Sequence, residues 1–231
     1  MVGSVLTEKK PEELFLDRLP TATQKAFRFI TEQELISPDT WYLAGGTALA
    51  LQVGHRRSVD LDFFTEHANF DETALERKLL QTKNWKTTFR QDGTIYGEFL
   101  GAKVSFIAYP FFQPSTEHVR CGHVRLLIPE DIAAMKIIAI SQRGRKRDFV
   151  DLYWYCHNRE PLRAVLERAL VQYPQEHNVP HFFKSLVYFT DAEQDPMPQL
   201  HFEINWKDVK KFFIKEVPQL AREMFDLQKD A

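Results

Sequence analysis

Two short motifs carry the groups best suited to chemistry: Gly45-Gly46-Thr47 and, after twelve intervening residues, Asp60-Leu61-Asp62. Ser58, Asp60 and Asp62 alternate with Val59, Leu61 and Phe63, which predicts a strand over 58–64 with one buried face. On such a strand both carboxylates point to the same side, roughly 7 Å apart along the chain. Like charges that close repel unless a cation lies between them. Mg²⁺, or Mn²⁺ in its place, suits the pair: it takes one or two carboxylates from protein and completes its shell with water and substrate phosphate oxygens. Two such ions stabilise the attacking and leaving oxygens of phosphoryl or nucleotidyl transfer. Standing alone, an Asp-x-Asp pair reads as readily as the solvent face of an edge strand, and the upstream glycines change that weighting.

Trp41–Ala44 has the character of a short buried strand, Gly45 and Gly46 interrupt it, and 47–52 reads as a short helix closed by Gly54. Strand, glycines and helix start together present free backbone N–H groups to an anion, and glycine lets a phosphate approach the backbone closely. Thr47 offers a hydroxyl to a phosphate oxygen, or an ordinary helix N-cap. Gly45-Gly46 by itself is equally a tight turn. No Gly-Lys-Ser/Thr follows, so this is not a P-loop.

The two motifs together resemble the first motif of the nucleotidyltransferase superfamily of the DNA polymerase β type. More narrowly, residues 43–64 are similar to the AbiEii/AbiGii toxin family, nucleotidyltransferase-like proteins that are often toxin partners in toxin–antitoxin and abortive-infection systems. The resemblance implies metal-dependent transfer of an NMP from an NTP to an RNA (tRNA included) or a protein acceptor, with an antitoxin protein as a further partner. It makes Asp60 and Asp62 catalytic metal ligands and assigns the nucleotide to Gly45, Gly46, Thr47 and Arg57. A Lys-bearing helix and an Arg…Asp motif complete the family pattern, and Lys136, Arg143, Asp148 and Asp151 match them in order and spacing. By that match Lys136 and Arg143 contact the nucleotide or acceptor, and Asp148 or Asp151 lies near the reaction. Lys136 is equally readable as a solvated helix position, and Arg147 with Asp151 as an ordinary i,i+4 ion pair.

Relatives of the polymerase-β type usually carry a third carboxylate on a nearby strand, where this chain has Ser105. Serine is a poor metal ligand and no general base near neutral pH. Either two carboxylates suffice, or Glu98 substitutes, or the protein is a non-catalytic nucleotide- or partner-binding module.

The elements that position these groups follow from periodicity. Helices are expected over 22–34, 71–82, 130–140, 146–155, 161–170, 179–189 and 208–229, the last broken or kinked at Pro218. Strands are expected over 41–44, 58–64, 86–90, 94–100, 103–109 and 124–128, with Asp92-Gly93 as a hairpin turn. The expected fold is α/β (α+β): a nucleotidyltransferase-like mixed sheet flanked by helices over 1–128, then a helical region over 129–231, with nucleotide in the cleft between. The run Arg143-Gly144-Arg145-Lys146-Arg147 is either a phosphate-contacting patch or a solvated loop. Composition is that of a folded protein, with 44% apolar and 27% charged residues, and a net charge of −2 excludes a global attraction to nucleic acid. Two cysteines make neither a disulfide framework nor a metal site. No leader and no membrane-spanning run is legible, so a cytoplasmic location away from membranes is expected.

Overall fold

The computed structural model describes residues 6–175 and 178–227. An eight-stranded mixed sheet organises the first part of the chain. Its strands are β1 (Leu6–Glu8), β2 (Tyr42–Ala44), β3 (Leu61–Thr65), β4 (Trp85–Gln91), β5 (Thr94–Phe99), β6 (Ala102–Ala108), β7 (His118–Cys121) and β8 (Val124–Leu126), in the spatial order β1-β7-β8-β2-β3-β6-β5-β4. The helices are α1 (Thr21–Glu32), α2 (Gly45–Val53), α3 (Glu72–Gln81), α4 (Pro129–Arg143), α5 (Lys146–Asn158), α6 (Leu162–Gln172), α7 (Val179–Leu186), α8 (Thr190–Glu193) and α9 (Trp206–Leu227). The chain divides into two compact units, Met1–Ile132 and Ala133–Ala231.

In the first unit β3 holds the centre, antiparallel to β2 and parallel to β6, and β6, β5 and β4 form a meander. Asp92-Gly93 makes the expected two-residue turn, with Gly93 at φ +69°. One sheet face is packed with aromatic rings. Phe63 and Phe106 stack at 5.3 Å, Trp41 meets Phe106 edge-on at 5.3 Å, and Phe29 of α1 meets Phe99 at 5.3 Å. Each such ring contributes about 1.5–3 kcal/mol by leaving water, so the strand carrying Asp62 is anchored through its alternate residues. Asp71 caps α3 as expected, accepting from the Ala74 N–H at 2.8 Å. In the second unit Phe149 of α5 is the hub, touching Phe189, Trp206 and Phe213 at centroid distances of 5.2, 5.8 and 5.4 Å.

Four expectations are corrected. The strand expected over 58–64 begins only at Leu61, and Val59 is 47% exposed rather than buried. Residues 58–60 bond outside the sheet instead, as described below. β1 and β7 were not anticipated; both are too short to show a period, and they are held by pairing, β1 in parallel with β7 and β7 antiparallel with β8. Pro218 does not break α9. The ring removes the bond to the Ile214 carbonyl, but Ile214 is exposed, where water can take that bond. Thr47 is not the N-cap of α2, which already begins at Gly45. Among the described residues no helix is long and apolar enough to cross a membrane.

Candidate functional site

In the first unit, β2 gives way directly to α2 at Gly45, whose φ of +69° lies in the left-handed region that side chains disfavour. A Cβ there would sit 3.6 Å from Asp62 Oδ2. The first turn of α2 therefore starts beside the Asp62 carboxylate. Register explains why Asp62 is present: Ala44, Asp62 and Ser105 are direct neighbours across β2, β3 and β6. Ser105, buried, donates its hydroxyl hydrogen to Asp62 Oδ1 at 2.7 Å. The serine is thus the cross-strand neighbour of Asp62, at the slot where the resemblance to polymerase-β-type proteins leads one to expect a third carboxylate. Glu98 is elsewhere: it is exposed on β5, opposite Lys103 and Lys86.

Asp60 immediately precedes β3, and its backbone is fixed from within. Thr47 donates to the Asp60 carbonyl and lies 2.8 Å from Ser58 Oγ. A threonine has one hydroxyl proton, so Ser58 donates to Thr47 in turn. Thr47 is 2% exposed, and its hydroxyl is engaged in holding Asp60. The same loop is held by residues the sequence reading passed over. Thr23 donates to the Val59 carbonyl at 2.7 Å, the Ser58 N–H donates to the Arg18 carbonyl at 3.1 Å, and Arg18 Nε donates to the Gly54 carbonyl at 3.0 Å. Each partner is some 36 residues away or more, so no local pattern reveals it. Arg57 is exposed in this loop, and Arg56 is buried with Nη1 donating to the Arg57 carbonyl at 2.9 Å.

The donor chemistry of this site fits a hard divalent cation. Two neighbouring aspartates, Asp62 on β3 and Asp60 just before it, are the kind of hard oxygen donors Mg²⁺ accepts when water and phosphate supply the remainder, while the Ser105 hydroxyl is already donated to Asp62. Among the described residues no cluster of three or more His, Cys, Asp or Glu could hold a metal alone.

The second unit contains a separate constellation. Lys136 of α4 has its side chain only 5% exposed, with Nζ 2.7 Å from Asp148 Oδ1 and 2.7 Å from Asp151 Oδ2 on α5. Arg143 reaches Asp148 Oδ2 through Nε at 3.1 Å. Burial alone would raise the Asp148 pKa, but the Lys136 ammonium and Arg143 guanidinium outweigh it and hold the carboxyl below its ordinary value. Asp148 and Asp151 thus share one face, as their three-residue spacing predicts. Asp151 pairs with Lys136. The adjoining basic run is largely absorbed into its own unit: Arg145 pairs with Asp195 at 2.7 Å, and Lys146 is buried against the Asp195 and Glu193 carbonyls, 5.2 Å from the Trp206 ring centre.

Comparison with known proteins gives the family and the fold. A family model described as the nucleotidyl transferase AbiEii toxin of a type IV toxin–antitoxin system matches residues 28–99 and 112–227. An uncharacterised protein of Aquifex aeolicus is 32% identical over 182 residues, spanning 78% of this chain and 87% of that protein. Among solved structures, a proposed nucleotidyltransferase from Helicobacter pylori superposes with a TM-score of 0.54 at 16% identity, covering 88% of this chain and 95% of its own. MenT4, a nucleotidyltransferase toxin of Mycobacterium tuberculosis, gives a TM-score of 0.52 at 14% identity, covering 87% and 84%. The two structural likenesses establish the shared nucleotidyltransferase-like α/β fold.

Proposed function

Since this chain belongs to the AbiEii nucleotidyltransferase toxin family, we propose that it moves an NMP from an NTP to the hydroxyl of an RNA or protein acceptor in a metal-dependent reaction. The observation that carries the proposal is the convergence of Gly45, Asp62 and Ser105: a helix start and a positioned carboxylate share one face. Phosphate oxygens would meet the first N–H groups of α2 at Gly45 and Gly46, where the helix dipole favours negative charge. Asp60 and Asp62 would hold Mg²⁺ or Mn²⁺, which when bound offsets the charge developing on the phosphate oxygens. Thr47 would act by fixing Asp60 rather than by touching phosphate, and Arg57 would add charge at the loop. In the transfer, the acceptor oxygen bonds to the α-phosphorus, the bond from that phosphorus to the bridging oxygen breaks, and pyrophosphate leaves. The acceptor proton passes to water, because Ser105 is no base near neutral pH. Lys136, Arg143 and Asp148 remain candidates for contact with nucleotide or acceptor. The family role supports an antitoxin protein as partner.

Ser105 favours a second reading, a binding module without turnover. Purified protein incubated with Mg²⁺, each labelled NTP, and pooled tRNA or cell extract separates the two. Label transfer that is lost in Asp60→Ala and Asp62→Ala supports the transferase. Transfer that survives both substitutions overturns the assignment. NTP-dependent thermal stabilisation without transfer, and unaltered by Ser105→Asp, supports the binding module.

A further inference from the structure

The row of side chains that passes through Asp62 and Ser105 continues outward. Ser105 of β6 lies opposite Tyr96 of β5, and Tyr96 lies opposite Phe89 of the edge strand β4. Residues paired across a sheet point to the same side, so all four share one face. At about 4.8 Å per strand, Tyr96 lies about 10 Å and Phe89 about 14 Å from Asp62 along the row. The two rings stack on each other, with centroids 5.6 Å apart and planes 28° apart, yet remain 41% and 44% exposed.

Phe89 reaches this face through an irregularity in β4. Thr87 pairs with Gly97 and Phe89 with Tyr96, leaving Thr88 as an extra residue. In unbroken register Thr88 would oppose Tyr96, and Phe89 would oppose buried Ile95 on the face that α3 and α1 cover. The bulge instead places a second aromatic ring beside Tyr96, in line with the site. The neighbouring row on the same face is Lys86, Glu98 and Lys103, two ammonium groups around one carboxylate, all exposed.

We propose that Tyr96 and Phe89 form a stacking platform for unpaired bases at the end of a single-stranded RNA acceptor, directing its terminal hydroxyl toward Asp62. The proposal rests on the reading of the Asp62 site as a nucleotidyl-transfer centre. Open aromatic faces accept any base and bind strands without base pairing. Lys86 and Lys103 offer charge to the backbone phosphates beside them, a salt-sensitive contribution. A base-paired end hides its faces and is received less well.

Fluorescence anisotropy with a short 5′-labelled oligoribonucleotide, single-stranded or in duplex and without NTP, tests the platform directly. Tyr96→Ala and Phe89→Ala should each weaken binding of the single strand about ten-fold, while Tyr96→Phe retains it. The duplex should bind more weakly than the single strand, and NTP-dependent thermal stabilisation should be unchanged in every variant. Circular dichroism monitors folding. The proposal is overturned if the wild-type protein does not bind the single strand, if the alanine variants bind it as well as wild type, or if the duplex binds equally. Label transfer to protein alone, with no strand bound, overturns it as well. Strand binding that depends on both rings, with no transfer to any acceptor, leaves the platform standing and removes the transferase reading instead.

Discussion

Replacing Lys136 with methionine should destabilise the second unit through charge rather than packing, because methionine has nearly the length of lysine but no ammonium. Lys136 Nζ lies 2.7 Å from both Asp148 and Asp151, whose side chains are fully buried. Removing one partner of a buried ion pair costs about 3–5 kcal/mol, since the charge left behind has no water to return to. Arg143 still reaches Asp148 at 3.1 Å in the variant, so the lower end, about 3 kcal/mol, is expected for Lys136→Met. In a chain of 231 residues that corresponds to a fall in Tm of about 6–12 °C at roughly 2–4 °C per kcal/mol. The decisive companion is the triple variant Lys136→Met, Asp148→Asn, Asp151→Asn, in which no buried charge is left unbalanced; it should recover most of the loss. Differential scanning calorimetry of the wild type, the single and the triple variant makes the comparison. A single variant within about 2 °C of wild type, or a triple variant no more stable than the single, would refute the reasoning that these charges are desolvated and mutually compensating. A triple variant that regains stability but not NMP transfer assigns the Lys136, Asp148 and Asp151 cluster a part in the chemistry beyond its structural one.

Acid should expose the same cluster. The folded-state pKa of Asp148 is depressed, so its contribution to stability is complete above the unfolded carboxyl pKa of about 3.9 and is lost as pH falls below it toward the folded value. Urea midpoints measured on acidification should therefore decline less steeply in Asp148→Asn than in wild type. Thr47→Val keeps the shape but leaves the Asp60 carbonyl without its hydroxyl donor. A loss of about 1–3 kcal/mol is expected, with weakened Mg²⁺-dependent thermal stabilisation because Asp60 is no longer fixed. Gly45→Ala places a methyl group at φ +69° against Asp62. It should cost about 1–2 kcal/mol of stability and raise the KM for NTP, whereas Gly46→Ala, at a position without positive φ, should be milder in the stability assay.

The glycine pair, the Asp-x-Asp motif and the lysine-to-aspartate spacing were all legible because each is local. A left-handed turn needs glycine, and an i,i+3 carboxylate pair on α5 shares a helical face whatever surrounds it. The order of helices and the β4–β5 turn followed from periodicity for the same reason. Strand length did not follow. Residues 58–60 alternate as a strand should, but Arg18, Thr23 and Thr47 take their backbone partners, so the ladder starts only at Leu61.

By itself, then, the sequence determined the chemical inventory: hard oxygen donors, a glycine turn before a helix, a helical lysine with carboxylates twelve and fifteen residues on, and the family that uses them. Tertiary structure decided what each group faces. Cross-strand register, set by pairings tens of residues apart, put Ser105 against Asp62 rather than merely near it. One extra residue in β4 put Phe89 beside Tyr96 on the same face. Burial turned Thr47 and Lys136 inward, the first onto a backbone carbonyl and the second between two carboxylates. These outcomes depend on which long-range partner satisfies each polar group once water is excluded, and that is a property of the folded chain, not of any segment of it.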